Sequence, residues 1–138
     1  MNAVDTNVLV YSVSADEPVR GPRAAALLQE LSASNTVLLW QVAYEFGAVV
    51  SRLHQRGRVP PEAFDALVAL RNRFPLILPT SRVLDHGLQL LREQKIAYWD
   101  AMLLAACLDA DVTRIYSEDV PGTRVGDLEI VNPFANAR

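Results

Sequence analysis

The sequence has little that would cross-link the chain, anchor it in a membrane or export it. It contains a single cysteine, Cys107, so no disulfide can form within the chain, and its apolar surroundings predict a small buried residue. No apolar run reaches the roughly 18 residues that a membrane-spanning helix needs. The N-terminus lacks a basic region ahead of an apolar stretch, which argues against a signal peptide. We therefore expect a cytoplasmic protein with no membrane association.

Lysine is also scarce. Of the 13 lysine and arginine residues only Lys95 is a lysine, and the formal net charge is −3. A negative balance argues against a protein that coats nucleic acid by bulk attraction. The planar fork of arginine suits phosphate oxygens, but a compositional bias of the genome explains the preference equally well. The arginines considered for an RNA groove are Arg20, Arg23, Arg52, Arg56 and Arg58.

The remaining composition is that of a globular protein, with 51% hydrophobic and 21% charged residues, and 138 residues suit one domain over 1–138. Predicted strands cover residues 2–5, 36–39, 76–78, 113–116 and 128–131. Predicted helices cover 23–31 after Pro22, 41–56, 62–73 after Pro60 and Pro61, 80 or 81 to 94, and 98–109. This alternation predicts an α/β fold with a central, mostly parallel sheet of four or five strands, flanked by helices on both faces.

Asp5 interrupts an apolar run that extends from Val4 to Tyr11. A carboxylate in such a run is costly to bury without a partner. The segment also suits a turn or a helix cap, so a structural role for the acid stays open. β-propensity extends the first strand through Val10, whereas a cap at Thr6 or Asn7 would begin a short helix there.

Two further acids lie on apolar helices. Glu45 shares helical spacing with Val42 and Val49, so it is predicted to face the sheet, although a glutamate at the margin of a stripe can reach solvent. Asp100 lies in the almost wholly apolar segment 98–109, where aspartate is rarely buried unpaired. An N-cap role for Asp100 is the structural alternative.

Asp119 follows the strand 113–116 just as Asp5 follows the first strand. Ligands of open parallel sheets bind beyond the carboxyl ends of the strands, so both acids are candidates for one site. The neighbouring Glu118 is expected to point elsewhere. An ordinary polar loop explains the segment 117–119 as well.

Together Asp5, Glu45, Asp100 and Asp119 can converge on one pocket. Four close carboxylates repel one another, and hard oxygen ligands select Mg²⁺ or Mn²⁺. The sequence offers no competing ligand set, because its histidines are isolated and expected at the surface and its cysteine is single; these residues are His54, His86 and Cys107.

Acid-held Mg²⁺ serves phosphoryl transfer. The three aspartates would bind the ion directly or through water, and Glu45 would hold or orient the attacking water. Thr6, Asn7 and Ser117 would fix the rotamers of the carboxylates.

These residues in this order resemble PIN-domain ribonucleases of the VapC toxin type. The resemblance rests on segments 5–9 (DTNVL), 99–101 (WDA), 116–119 (YSED) and 128–134 (LEIVNPF), with Glu45 on its helix, and it covers essentially the whole chain. It implies a parallel sheet between helices and Mg²⁺-dependent endonucleolytic cleavage of RNA. The metal site would consist of Asp5, Glu45, Asp100 and Asp119, and residues 8–11 would be helical.

The resemblance also implies the toxin half of a type II toxin–antitoxin (VapBC) system. Such a toxin is usually a homodimer, held inactive by a small VapB-like antitoxin that inserts a segment near the acids, often with a basic residue. No acid follows Asp119 before Asp127, so a family variant with an extra acid directly after the fourth is not supported.

Three alternatives remain. A PIN nuclease of RNA processing would lack a short antitoxin reading frame immediately upstream. A phosphoacceptor signalling domain is also α/β with clustered acids, but it needs a lysine at a strand end, and Lys95 is predicted between two helices. A non-catalytic binding module is disfavoured by the complete set of four acids.

Overall fold

The computed structural model describes residues 1–58 and 61–135, and these residues form six helices and six strands. The helices are α1 (Thr6–Val13), α2 (Arg20–Leu31), α3 (Trp40–Gln55), α4 (Glu62–Arg73), α5 (Ser81–Glu93) and α6 (Tyr98–Asp109). The strands are β1 (Asn2–Val4), β2 (Leu38–Leu39), β3 (Leu76–Ile77), β4 (Arg114–Tyr116), β5 (Arg124–Val125) and β6 (Leu128–Val131). The predicted α/β class is confirmed.

The main sheet has four strands in the order β1-β4-β6-β5. Strand β4 pairs in parallel with β1 on one side and with β6 on the other, whereas β5 pairs antiparallel with β6. Val4 lies opposite Tyr116, and the N–H of Asp5 donates to the carbonyl of Tyr116 at 2.8 Å. The register therefore brings the residues that follow β1 and β4 side by side at the carboxyl edge.

Strands β2 and β3 form a second, two-stranded parallel sheet. A single parallel bridge between Asn2 and Thr36 joins it to β1, and the N–H of Val37 donates to the carbonyl of Asn2 at 2.9 Å. Because β2 runs parallel to β1 and leads directly into α3, the first turns of α3 lie at the same edge as α1.

Strands β1 and β2 are buried on both faces. Successive side chains of a strand point to opposite faces, and Ala3 and Val4 are 0% and 5% exposed. Leu38 and Leu39 are each 2% exposed. Helices therefore cover both faces, as predicted. Within residues 1–58 and 61–135, no helix is both long enough and apolar enough to cross a membrane.

Residues 6–13 form helix α1, where the sequence allowed either a longer first strand or a short helix. The extension of the first strand through Val10 is wrong, and the helix that the resemblance implied over 8–11 is present. Its cap is Asp5 and not Thr6 or Asn7, because the Asp5 carboxylate accepts the N–H of Thr6 at 2.7 Å. This cap and the burial of the apolar side chains outweigh the strand propensity of the β-branched residues.

Other predicted boundaries shift by a few residues. Helix α2 begins at Arg20, so Pro22 is its third residue; proline is tolerated there because the first-turn N–H groups lack helical acceptors. Thr80 occupies the N-cap position of α5 as predicted, but its hydroxyl donates to Asp109 at 2.8 Å and does not cap the helix. Strand β5 was not predicted. Pro60, predicted to open α4 with Pro61, lies outside the described residues.

Helices α5 and α6 approach closely at Gly87. A Cβ atom at this position would lie 2.5 Å from the sulfur of Met102 on α6. Gly87 is thus the small residue that allows the thioether to lie against the backbone of α5.

Candidate active site

Asp5 lies at the junction of β1 and α1. One carboxylate oxygen accepts the N–H of Thr6 at 2.7 Å, and the other accepts the hydroxyl of Ser117 at 2.7 Å. Burial raises the pKa of Asp5, the two hydrogen bonds oppose this effect, and the charges of Glu45 and Asp100 add to it. The acid is therefore held in one orientation in surroundings that disfavour its charge.

Glu45 faces the start of α1 from the second turn of α3. Its Oε2 accepts the hydroxyl of Thr6 at 3.0 Å, and its Oε1 accepts the side-chain N–H of Gln41 at 3.0 Å. The same Gln41 amide also donates to the carbonyl of Trp99 at 3.1 Å. Glu45 is half-buried, and its carboxylate contacts the first turn of α1 rather than lying free in solvent.

Asp100 is the third residue of α6, and the N-cap position belongs to Ala97, so the N-cap alternative for Asp100 is wrong. Burial raises its pKa, and the charges of Asp119 and Glu45 raise it further. In the described part of the chain no hydrogen-bond donor contacts the Asp100 carboxylate. The structure therefore leaves this acid available to a ligand.

Asp119 lies in the loop that follows β4. Its carboxylate accepts a hydrogen bond from the side-chain amide of Asn7 on α1. The hydroxyl of Ser117 in the same loop accepts the N–H of Val120 at 3.2 Å, and Ser117 is 1% exposed. Thr6, Asn7 and Ser117 thus each contact one of the acids that they were predicted to orient.

One cavity of about 310 Å³ brings the four predicted acids together. Its lining consists of Asp5, Thr6, Asn7, Glu45, Ala48, Val49, Arg52, Asp100 and Asp119. The lining therefore combines four acids with one arginine, Arg52. Sequence reasoning missed Gln41 as a partner of Glu45, although it precedes Glu45 by one helical turn and so shares its face.

The cavity suits a hard divalent cation, because four of the side chains that line it are carboxylates. Among residues 1–58 and 61–135, no three acids, histidines or cysteines are already grouped closely enough to hold an ion. The acids would therefore have to close on an ion as it binds. His54 and His86 are exposed and Cys107 is buried, as predicted.

A larger apolar cavity of about 580 Å³ adjoins the acids, and Glu45 lines both this cavity and theirs. Trp40 and Tyr44 lie in its wall, with ring centroids 4.0 Å apart. Trp99, which precedes Asp100, is also in the wall and is 64% exposed. Aromatic surface thus lies directly beside the acids.

Three of the solved structures that share this fold come from bacteria. A toxin–antitoxin complex from Klebsiella pneumoniae has 18% identity and a TM-score of 0.69, and the alignment covers 96% of this chain and 98% of that chain. The Mycobacterium tuberculosis toxin VapC20, described as cleaving the sarcin–ricin loop, has 18% identity, a TM-score of 0.67 and coverages of 86% and 90%. VapBC2 from Rickettsia felis, bound to promoter DNA, has 15% identity, a TM-score of 0.70 and coverages of 94% and 96%.

At such identities the likeness shows the fold alone, an α/β domain with a mostly parallel sheet. No protein of curated function matches the sequence significantly. The PIN domain family model, however, matches residues 3–125. The chain belongs to the PIN domain family.

Proposed function

We propose that this chain is the toxin of a type II toxin–antitoxin system and acts as a Mg²⁺-dependent endoribonuclease of the VapC type. The observation that carries the proposal is the meeting of four acids, distant in sequence, in one cavity. Membership in the PIN domain family supports it, and so does the fold likeness to proteins described as toxins.

Asp5, Asp100 and Asp119 would hold Mg²⁺, directly or through water, and Mn²⁺ would substitute for it. The ion would polarise the scissile phosphate, lower the pKa of the attacking water and stabilise the leaving oxygen. A cation in the cavity would favour the charged forms of Asp5 and Asp100, whose pKa values burial raises. Binding of the cation would thereby offset the free-energy cost of keeping these buried, closely spaced acids charged.

The chain's own donors would keep the carboxylates oriented. Thr6 and Gln41 hold both oxygens of Glu45, and the remaining lone pairs of Glu45 would orient the attacking water. Ser117 and the N–H of Thr6 hold Asp5 in the same way. Because these bonds exist before substrate arrives, Asp5 and Glu45 would keep their orientation during the reaction.

Arg52 would contact a phosphate of the RNA at the rim of the cavity. It lies two helical turns after Glu45, on the same face of α3, and it is exposed. Three other arginines considered for an RNA groove bond within the chain instead: Arg20 to Glu118, Arg23 to the carbonyl of Pro133 and Arg58 to Asp16. Of the two that are left, Arg52 and Arg56, Arg52 is the one among the described residues that line the acid cavity, so we assign the phosphate contact to Arg52.

We also propose a VapB-like antitoxin as partner and a homodimeric toxin. The toxin–antitoxin complexes among the fold relatives support a partner of this kind. A cavity lined by four acids and one arginine suits a basic antitoxin residue. A short reading frame immediately upstream, whose co-expression relieves growth arrest, would favour this role over a PIN nuclease of RNA processing.

The phosphoacceptor alternative loses support. Lys95 lies in the exposed segment between α5 and α6, and it is not among the described residues that line the acid cavity. A phosphoacceptor site needs a lysine close to its acids, so the position of Lys95 does not meet that requirement.

Cleavage of labelled RNA with and without chelator tests the proposed chemistry. EDTA should stop cleavage, and added Mg²⁺ or Mn²⁺ should restore it. Asp100→Asn should lower the rate of cleavage at saturating Mg²⁺ by at least about 100-fold. Mutating residues that only hydrogen-bond to metal ligands already lowers metal affinity or activity by about 10- to 100-fold, and Asp100 would be a ligand itself. Asp85→Asn, an exposed acid on α5, is the matched control and should keep parental activity. Activity that survives chelation, or an Asp100→Asn protein as fast as the parent, would refute the proposal.

A further inference from the structure

The loop that follows β4 bonds to α1 through each of the residues 117–119. Ser117 and Asp119 bond to the cap and the first turn of α1, as described above. Glu118 bonds one turn further along, because its Oε2 accepts the hydroxyl of Tyr11 at 2.6 Å. Three successive side chains thus attach the loop to one helix.

The second oxygen of Glu118 is held from α2. Its Oε1 accepts Nε of Arg20 at 2.8 Å and lies 2.7 Å from a terminal nitrogen of the same guanidinium. The Glu118 side chain is 18% exposed and that of Arg20 is 38% exposed, so the pair is partly shielded from water. Charge-assisted bonds from a planar fork fix direction as well as distance.

Tyr11 and Arg20 are themselves held in place. The Tyr11 ring packs edge-on against Phe134, with centroids 5.3 Å apart, and the Arg20 guanidinium lies 5.7 Å from the Tyr11 ring centre. A Cβ at Gly21 would lie 3.2 Å from the carbonyl oxygen of Tyr11, so α2 approaches the backbone of α1 closely there. The anchor of Glu118 is therefore a packed part of the protein.

Glu118 itself is not among the described residues that line the acid cavity, whereas its neighbour Asp119 is. We propose that Tyr11 and Arg20 are positioning residues for the acid site, because by holding Glu118 they fix the loop from which Asp119 reaches the cavity. They also keep a fifth carboxylate away from the other four. This inference rests on the proposed function, since it concerns the same acids.

Binding of Mn²⁺ to the metal-free protein, measured by calorimetry, tests the inference without RNA. Tyr11→Phe removes the hydroxyl that donates to Glu118 and keeps the ring, and Arg20→Gln removes the guanidinium that binds the other oxygen of Glu118. Each should weaken Mn²⁺ binding by about 10-fold, as loss of an outer partner does at metal sites. Arg20→Lys keeps the charge and should recover part of the affinity.

The control is Arg114→Gln at the opposite end of β4. It breaks a salt bridge of similar length, 2.8 Å from Arg114 to Glu129, and should leave Mn²⁺ binding at the parental value. Affinities are referred to the folded fraction measured by circular dichroism. If both site variants, once corrected for folding, bind Mn²⁺ like the parent, the inference is overturned. If the parent itself binds no Mn²⁺, the proposed function fails and the inference falls with it.

Discussion

Replacing Ser117 with alanine removes the hydroxyl that joins two parts of the site. The hydroxyl donates to Asp5 at 2.7 Å and accepts the N–H of Val120 at 3.2 Å, in a residue only 1% exposed. A hydrogen bond to a charged group contributes about 1.5–3 kcal/mol, and a buried donor left without an acceptor costs about 1–3 kcal/mol. Because both effects involve one oxygen and are not independent, we expect the free energy of unfolding to fall by about 3 kcal/mol.

Urea and thermal unfolding of the metal-free protein measure this loss. For a domain of this size, a loss of that magnitude lowers Tm by roughly 10 °C. Ser32→Ala is the matched control, because its hydroxyl donates only locally, to the carbonyl of Gln29, and its effect should stay within about 0.5 kcal/mol. A Ser117→Ala protein as stable as the Ser32→Ala protein would refute the reasoning.

The pH dependence sharpens the test. The Ser117 hydrogen bond lowers the pKa of Asp5, so it stabilises the charged carboxylate more than the neutral acid. The difference in stability between parent and Ser117→Ala should therefore be largest where Asp5 is charged. It should shrink as the pH falls through the folded-state pKa of Asp5.

Three further predictions concern stability and substrate binding. Because the pKa of Asp100 is raised in the folded protein, its neutral form stabilises the fold below its unfolded-state pKa, and this stabilisation is lost as the pH rises through its folded-state pKa. The free energy of unfolding in urea should therefore fall less with rising pH for metal-free Asp100→Asn than for the parent. An unchanged pH profile would contradict this prediction. Gly87→Ala should lower the free energy of unfolding, measured thermally, by about 1 kcal/mol, because displacing the sulfur of Met102 outweighs the gain in helix propensity. Gly47→Ala makes only an ordinary contact at 3.4 Å and should stabilise α3. A Gly87→Ala protein more stable than the parent would be the contrary result. Arg52→Gln should raise KM for RNA by about 10-fold with little change in kcat, and equal KM values for Arg52→Gln and the exposed-site control Arg92→Gln would exclude the phosphate contact.

Much of the site follows from rules that link sequence to topology. Asp5 and Asp119 both follow strands that pair in parallel, and such strands end at one edge of a sheet. Glu45 follows from helical spacing, which placed it beside inward-facing apolar residues. Asp100 could be identified as a site residue because it is an acid in an almost wholly apolar helix. Each of these inferences needs only local pattern and fold class, which is why the four acids could be named before their positions were known.

The remaining features depend on contacts between distant segments. The apolar run after Asp5 has strand propensity, and one capping hydrogen bond together with burial makes it α1. Strand β5 has only two residues and exists through its pairing with β6. The bonds that Glu118 receives join residues 98 and 107 positions apart in sequence, and no local pattern announces such partners.

A crystal soaked in Mn²⁺ tests the central claim most directly, because anomalous scattering locates the ion independently of activity. The account predicts an ion in the cavity between α1, α3 and α6, with carboxylate oxygens of at least two of Asp5, Asp100 and Asp119 within about 2.6 Å. A cavity without an ion at saturating Mn²⁺, or an ion bound only at acids elsewhere on the surface, would contradict it.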